Sequence, residues 1–173
     1  MYLLSRLFDE HEIRSVIEFG SGESTVFIDR AKHPAARHVC YEHDPVWHAR
    51  VAARLTGCDY RLRPLAPTMV AGRSVRWYQD VEPQEFDLML VDGPVGTERF
   101  SRFGCIELIR SVAARDFLII FDDYQRPGER DTVAHAVSLL RDAGVEFRAN
   151  ELRARTTQAV IAGVNFIGAT YYY

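Results

Sequence analysis

Lysine is almost missing from this chain. Lys32 is the only one, and every other basic side chain is arginine, a bias that reads as GC-rich coding rather than function. Basic residues do not outnumber acids: 21 Lys and Arg face 24 Asp and Glu, for a net charge of -3. No global positive field therefore draws the chain to nucleic acid or to an anionic membrane. Cysteine is scarce. Cys40, Cys58 and Cys105 are odd in number, far apart and without CxxC spacing, which argues against a zinc site and a disulfide framework. No stretch approaches the roughly 20 apolar residues of a membrane span. No charged and apolar leader with a cleavage site opens the sequence. Reduced thiols and a cytoplasmic location are the expectation. Repeats, low-complexity segments and linkers are missing too. What is present is 173 residues, 47% hydrophobic and 26% charged, enough for one domain spanning residues 1–173 around a real core.

The hydrophobic pattern alternates between strand and helix. Leu3, Leu4, Leu7 and Phe8 make an amphipathic face, so residues 1–12 are expected to form a cap helix on the sheet edge or over the ligand crevice. Ile13–Phe19 reads as a first buried strand and Ser24–Lys32 as the helix after it, ended by His33-Pro34. Arg37–Tyr41 is a second strand. Asp44 suits an N-cap and Pro45 the first helical position, giving a helix over 45–55. Tyr60–Leu65 reads as an edge strand, and residues 66–80 as a loop with at most a short strand. Phe86–Val91 and Asp116–Phe121 are apolar strands, separated by a helix from Glu98 to Ala114. Glu129–Ala143 is a helix stopped by Gly144. Val145–Arg148 and Gln158–Ala162 lie too close for a crossover helix and predict an antiparallel hairpin. The alternation implies an α/β fold with a mostly parallel sheet between helices.

The first strand runs into Gly20-Ser21-Gly22, a turn in which glycine lets the backbone fold tightly and a ligand approach closely. At the carboxyl end of such a strand, ligands bind. A dinucleotide fingerprint would carry a third glycine where Thr25 stands. Glu18 and Glu23 flank the turn and would repel a diphosphate, whereas they suit a ligand bearing an ammonium or sulfonium group. The plainer alternative is a simple strand-to-helix turn with Ser24 as N-cap. Glu42 lies 22 residues after Gly20, where an acid can accept both ribose hydroxyls of an adenosine-type ligand. His43 follows as a further ligand contact or a surface histidine.

The blocks Glu18-Phe-Gly-Ser-Gly-Glu-Ser-Thr25, Tyr41–Trp47, Phe86–Pro94 with its VDGP, and Ile120–Asp123 with its acid pair together resemble class I S-adenosylmethionine-dependent methyltransferases, nearest the small bacterial type. The resemblance runs over about residues 14–130 of the sequence. It implies a Rossmann-like three-layer αβα sandwich, a seven-stranded sheet of order 3-2-1-4-5-7-6, and a C-terminal antiparallel strand. It also implies S-adenosylmethionine as cofactor. Glu18, Gly20, Ser21, Gly22, Ser24 and Thr25 would lie around its methionine part, Glu42 and His43 at the ribose, and Asp92 beside it. The adenine contact is implied near Leu65 and Ala66. One departure is that only about a dozen residues precede the first strand, where related enzymes often carry a longer helical cap.

Asp92, stiffened by Gly93-Pro94, and Asp122 are the candidate catalytic groups, as general base or as orienters of the acceptor. Asp92 with Asp122 and Asp123 is compatible with a divalent cation. No metal ligand is assigned, because related metal-dependent enzymes usually place Asn where Asp123 stands. Arg99, Arg102 and Arg126 read as grips for an anionic acceptor or as surface charges. Trp77 and Tyr78 read as packing. The expected function is methyl transfer to an oxygen or nitrogen of a small-molecule acceptor, with a homodimer as an option and neither nucleic acid nor membrane as partner. The competing readings are a non-catalytic S-adenosylmethionine-binding protein, a metal-dependent O-methyltransferase, an NAD oxidoreductase and an aminopropyl transferase.

Overall fold

In the computed structural model, which describes residues 2–112, 116–153 and 155–172, the chain runs α1 (Tyr2–Glu10), β1 (Ser15–Phe19), α2 (Glu23–Ala31), β2 (Arg37–Glu42), α3 (Pro45–Ala52) and β3 (Asp59–Leu62). It continues through β4 (Leu65–Val70), β5 (Arg73–Tyr78), β6 (Leu88–Val91), α4 (Ile106–Ile109), β7 (Leu118–Phe121), α5 (Pro127–Asp142), β8 (Phe147–Arg153) and β9 (Thr157–Gly163). Seven strands form one sheet of order β3-β2-β1-β6-β7-β9-β8. The first five are parallel, and β9 runs antiparallel to both neighbours. With β4 and β5 set aside as a separate hairpin, this is the expected order.

Side chains alternate across the buried strands and split the core into two layers. Ile17, Phe19, Met89, Val91, Ile119 and Phe121 face one way, toward α5, α4 and the β4–β5 hairpin. Val16, Leu88, Leu90, Leu118 and Ile120 face the other way, toward Leu3, Leu4 and Leu7 of α1, Ile28 of α2 and Phe166. The chain leaves β1 for β2 on one side, while β6 pairs on its other side. β1 therefore lies at the topological switch point, and the crevice opens at its carboxyl end.

Several local signals act as read. Asp44 Oδ1 accepts from the amides of Val46 and Trp47 at 2.8 Å each, with Pro45 at the first helical position. Gly144 has φ +69° past the end of α5. Other expectations need correction. Residues 65–78 form a full hairpin, joined at Ala71-Gly72 with φ of +46° and +76°. Two positive φ values in a two-residue loop give the turn whose twist matches paired strands. The helix expected from Glu98 is instead an irregular loop, then 3₁₀ turns at Phe103–Cys105 and Arg110–Val112 flanking the short α4. Its expected end at Ala114 lies outside the described residues. Phe100 and Arg102 both sit at positive φ, which interrupts any helix there. Gly104 passes so close to Trp77 that a Cβ would stand 1.9 Å from the indole. α2 begins at Glu23 with Gly22 as N-cap, so Ser24 lies inside the helix and is not its cap. The terminal hairpin is longer than expected and is followed by a 3₁₀ segment, Val164–Tyr171, on the α1 side.

Candidate active site

The carboxyl ends of β1, β2, β6 and β7 bring Gly20, Glu42, Asp92 and Asp122 to one edge of the sheet. Asp92 lines two adjoining recesses. One, of about 450 Å³, includes Gly20, Ser21, Glu42, His43 and Tyr78. The other, of about 250 Å³, includes Gly22, Ser24, Asp122 and the α1 residues Leu3 and Leu4.

The glycine turn is built from within. Gly20 holds φ +82°, and a Cβ there would lie 2.6 Å from the Gly93 nitrogen. A Cβ on Gly22 would meet nothing within 4 Å, so that position faces open space. Thr25 is fully buried, and its hydroxyl accepts from the Gly22 amide at 2.9 Å. It supports the turn from below. Glu18 is also fully buried. Ser24 Oγ donates to its Oε1 at 2.5 Å, and His38 Nε2 lies 3.2 Å from its Oε2. Glu23 is different from Glu18: it is exposed and paired with Arg54, so its charge is met at the surface.

Glu42 is 4% exposed and accepts four hydrogen bonds. The His43 and Asp44 amides hold Oε1 at 2.7 and 2.8 Å. The Ser21 amide and hydroxyl reach Oε2 at 3.1 and 2.9 Å. Backbone donors thus fix the carboxylate, while the Ser21 hydroxyl, shared with Tyr60 at 2.7 Å, is the replaceable contact. His43 Nδ1 lies 3.1 Å from Oε1 but is not aligned for a hydrogen bond, so that contact is one of proximity only.

Asp92 has its pKa pushed up to about 7. Partial loss of hydration in the recess is the main cause, although the side chain keeps 44% of its surface exposed, which tempers the shift; Arg102 opposes it, while Asp122, Asp123 and Glu18 add repulsion. Asp122 is oriented by Thr156 Oγ1 at 2.9 Å and Gln158 Nε2 at 3.4 Å.

A family model described as a methyltransferase domain matches residues 17–124. The chain belongs to the methyltransferase family. The expected class I resemblance is borne out in family and fold. Solved structures with the same fold include cofactor-bound Rv0187 from MTB, at TM-score 0.57 and 22% identity over 94% of this chain and 78% of that one. The O-methyltransferase TomG from Streptomyces achromogenes, in complex with SAM, gives 0.54 and 16% over 94% and 77%. An O-methyltransferase from Bacillus cereus, in complex with SAH, gives 0.53 and 14% over 93% and 78%. No curated protein matches by sequence.

Two residues of the candidate site were not legible as such in the sequence. Tyr78 is 2% exposed, lines the larger recess, and its hydroxyl has no hydrogen-bond partner among the described residues. A buried orphan hydroxyl is costly unless a ligand or water meets it. Only the hairpin, which packs Tyr78 against Phe19 at the end of β1, reveals it. Arg102 reads as a surface grip in the sequence but has a side chain only 3% exposed. Its Nη1 donates to the carbonyls of Val91 and Asp122, and its Nε to that of Pro94. Arg99 pairs with Asp131 at the surface, away from these acids. Oxygens of Asp92, Asp122 and Asp123 come within 4.8 Å of one another, as a divalent cation would require. Yet Arg102 Nη2 lies 3.0 Å from Asp123 Oδ2 and 3.4 Å from Asp92 Oδ1. The residues present are a poor fit to a metal ion, because a guanidinium already stands among its donors.

Proposed function

We propose that this chain is an S-adenosylmethionine-dependent methyltransferase acting on an oxygen or nitrogen of a small-molecule acceptor. The observation that carries the reading is the Glu42 carboxylate. Four donors hold it at the rim of a recess, and the only side-chain hydroxyl among them, Ser21 Oγ, stands where a ribose hydroxyl would bond. The orphan Tyr78 hydroxyl and the open face of Gly22 also suit an adenosyl ligand that continues past Asp92 into the smaller recess.

When bound, the cofactor supplies a methyl group on a sulfonium, already activated for displacement. The chain mainly aligns the partners and excludes water. Glu42 holds the ribose edge. Glu18, kept in place by Ser24 and His38, presents negative charge under the amino-acid end. Asp92, its carboxyl pushed up to about 7, accepts in its ionised form the proton that an acceptor hydroxyl or amine must lose. Asp122 orients the acceptor. Leu3 and Leu4 of α1 roof the smaller recess and keep water out. We place this activity in the cytoplasm, in line with the reduced-thiol composition; no helix of the described residues is long and apolar enough to cross a membrane.

The test is calorimetric binding of S-adenosylhomocysteine to wild type and Glu42→Ala. Wild type should bind, and the variant should lose about 10-fold or more, the loss of a charge-assisted pair of hydrogen bonds. Equal affinity in both proteins would remove Glu42 from the ribose and with it the main support for the reading.

A further inference from the structure

Arg102 stands where the acidic turns after β6 and β7 meet the first turn of α5. It reaches this place from the irregular loop after β6, with φ +58°, and is almost wholly enclosed. Its guanidinium bonds three main-chain carbonyls, Val91, Pro94 and Asp122, and so joins the ends of β6 and β7. The remaining edge faces carboxylates. Nη2 is 3.0 Å from Asp123 Oδ2 and 3.4 Å from Asp92 Oδ1, and Nε is 3.7 Å from Glu129 Oε1. Arg126 adds a second cation at 2.8 Å from Asp123. Asp122 is held from the other side by Thr156 and Gln158.

Three carboxylates so close together repel one another unless a cation is among them. A guanidinium is always charged and holds its donors in a rigid fork, so it fills that need without being recruited from solution. Its three carbonyl bonds also make it a poor group to displace. A hard dication arriving at the same acids would have to sit against it.

We infer that Arg102 is a built-in cation: a positioning residue that takes the place of a divalent ion between the carboxylates of Asp92 and Asp123, beside that of Asp122, holds Asp92 at the crevice, and makes the site independent of metal. The functional meaning rests on the methyltransferase reading, but the exclusion of metal is a separate property with its own readout. Removing the guanidinium should turn the acids into a cation site.

The experiment uses the full chain, stripped with EDTA, and Mn²⁺ as the probe. Free Mn²⁺ is followed by electron paramagnetic resonance, and S-adenosylhomocysteine affinity is measured in parallel with and without Mn²⁺. Wild type should take up no stoichiometric Mn²⁺, and its affinity for S-adenosylhomocysteine should be the same in both conditions. Arg102→Met should gain one Mn²⁺ per chain, at least about tenfold tighter than any wild-type uptake. Adding Asp122→Asn to that variant should abolish the gain. Arg102→Lys, which keeps a charge, should exclude Mn²⁺ as wild type does. Stoichiometric Mn²⁺ on wild type overturns the inference, as does a folded Arg102→Met that gains none. If Arg102→Met does not fold, wild type decides alone: exclusion supports the inference and uptake overturns it. Failure of every protein to bind S-adenosylhomocysteine would strike the methyltransferase reading and leave the Mn²⁺ result standing.

Discussion

The backbones of Gly20 and Gly93 touch. A Cβ on Gly93 would lie 2.6 Å from the Gly20 Cα, and one on Gly20 would lie 2.6 Å from the Gly93 nitrogen. The turn after β1 and the turn after β6 therefore form one packed unit, and Asp92 is placed relative to the glycine turn by that contact. Gly20→Ala combines a left-handed φ with a backbone clash. We expect a loss of about 2–4 kcal/mol, read from urea unfolding. A neutral result would mean that the two turns do not pack as described.

Tyr78→Phe separates folding from binding. Removing a buried hydroxyl with no hydrogen-bond partner among the described residues should leave stability unchanged or raise it by up to about 1 kcal/mol. S-adenosylhomocysteine affinity should fall about 5–10-fold, because the orphan group is the one expected to meet the ligand. Unchanged affinity would leave Tyr78 as packing only.

Asp92 gives the site a pH dependence. Its folded pKa, raised to about 7, exceeds that of an unfolded aspartate, 3.8. Folding thus favours its neutral form. The favourable contribution is complete below the unfolded value and is lost as pH rises through about 7. Asp92→Asn should therefore melt higher than wild type at pH 8, with a smaller advantage or none at pH 5 (two conditions about one and two units from the raised value). Methyl transfer should rise with pH through the same window, since the ionised form is the base. An Asp92→Asn advantage that is the same at both pH values would show that Asp92 titrates as an ordinary carboxylate.

Glu18 and His38 form a buried pair whose His38 Nδ1 is itself unpartnered among the described residues. Glu18→Ala and His38→Ala should each cost about 1–3 kcal/mol. The double variant should cost less than the sum, by more than about 0.5 kcal/mol. Simple additivity would mean that the pair is proximity without coupling. His38→Ala should also weaken S-adenosylhomocysteine binding, because it frees Glu18 to turn away from the ligand.

What the sequence determined by itself was set by local physics. Apolar runs such as Val16–Phe19, Leu88–Val91 and Leu118–Phe121 have few ways to be buried other than as central parallel strands. Asp44-Pro45 starts a helix because its side chain and ring suit those positions, whatever the rest does. That the glycine turn, Glu42, Asp92 and Asp122 would meet at one edge was legible because the carboxyl ends of parallel strands share one crevice by topology. The β4–β5 hairpin was harder, since Pro67 argued against a strand and only Ala71-Gly72 signalled the turn. What only the tertiary structure decided were partnerships between distant turns. Ser24, Glu23 and Thr25 are neighbours in sequence, yet one props Glu18, one pairs outward with Arg54 and one is sealed beneath Gly22. Arg99 and Arg102 look alike in sequence, but one ends at the surface and the other among three acids. The reason is physical: a side chain's charge is written in the sequence, but the donors, acceptors and water around it are set by whichever elements pack against it.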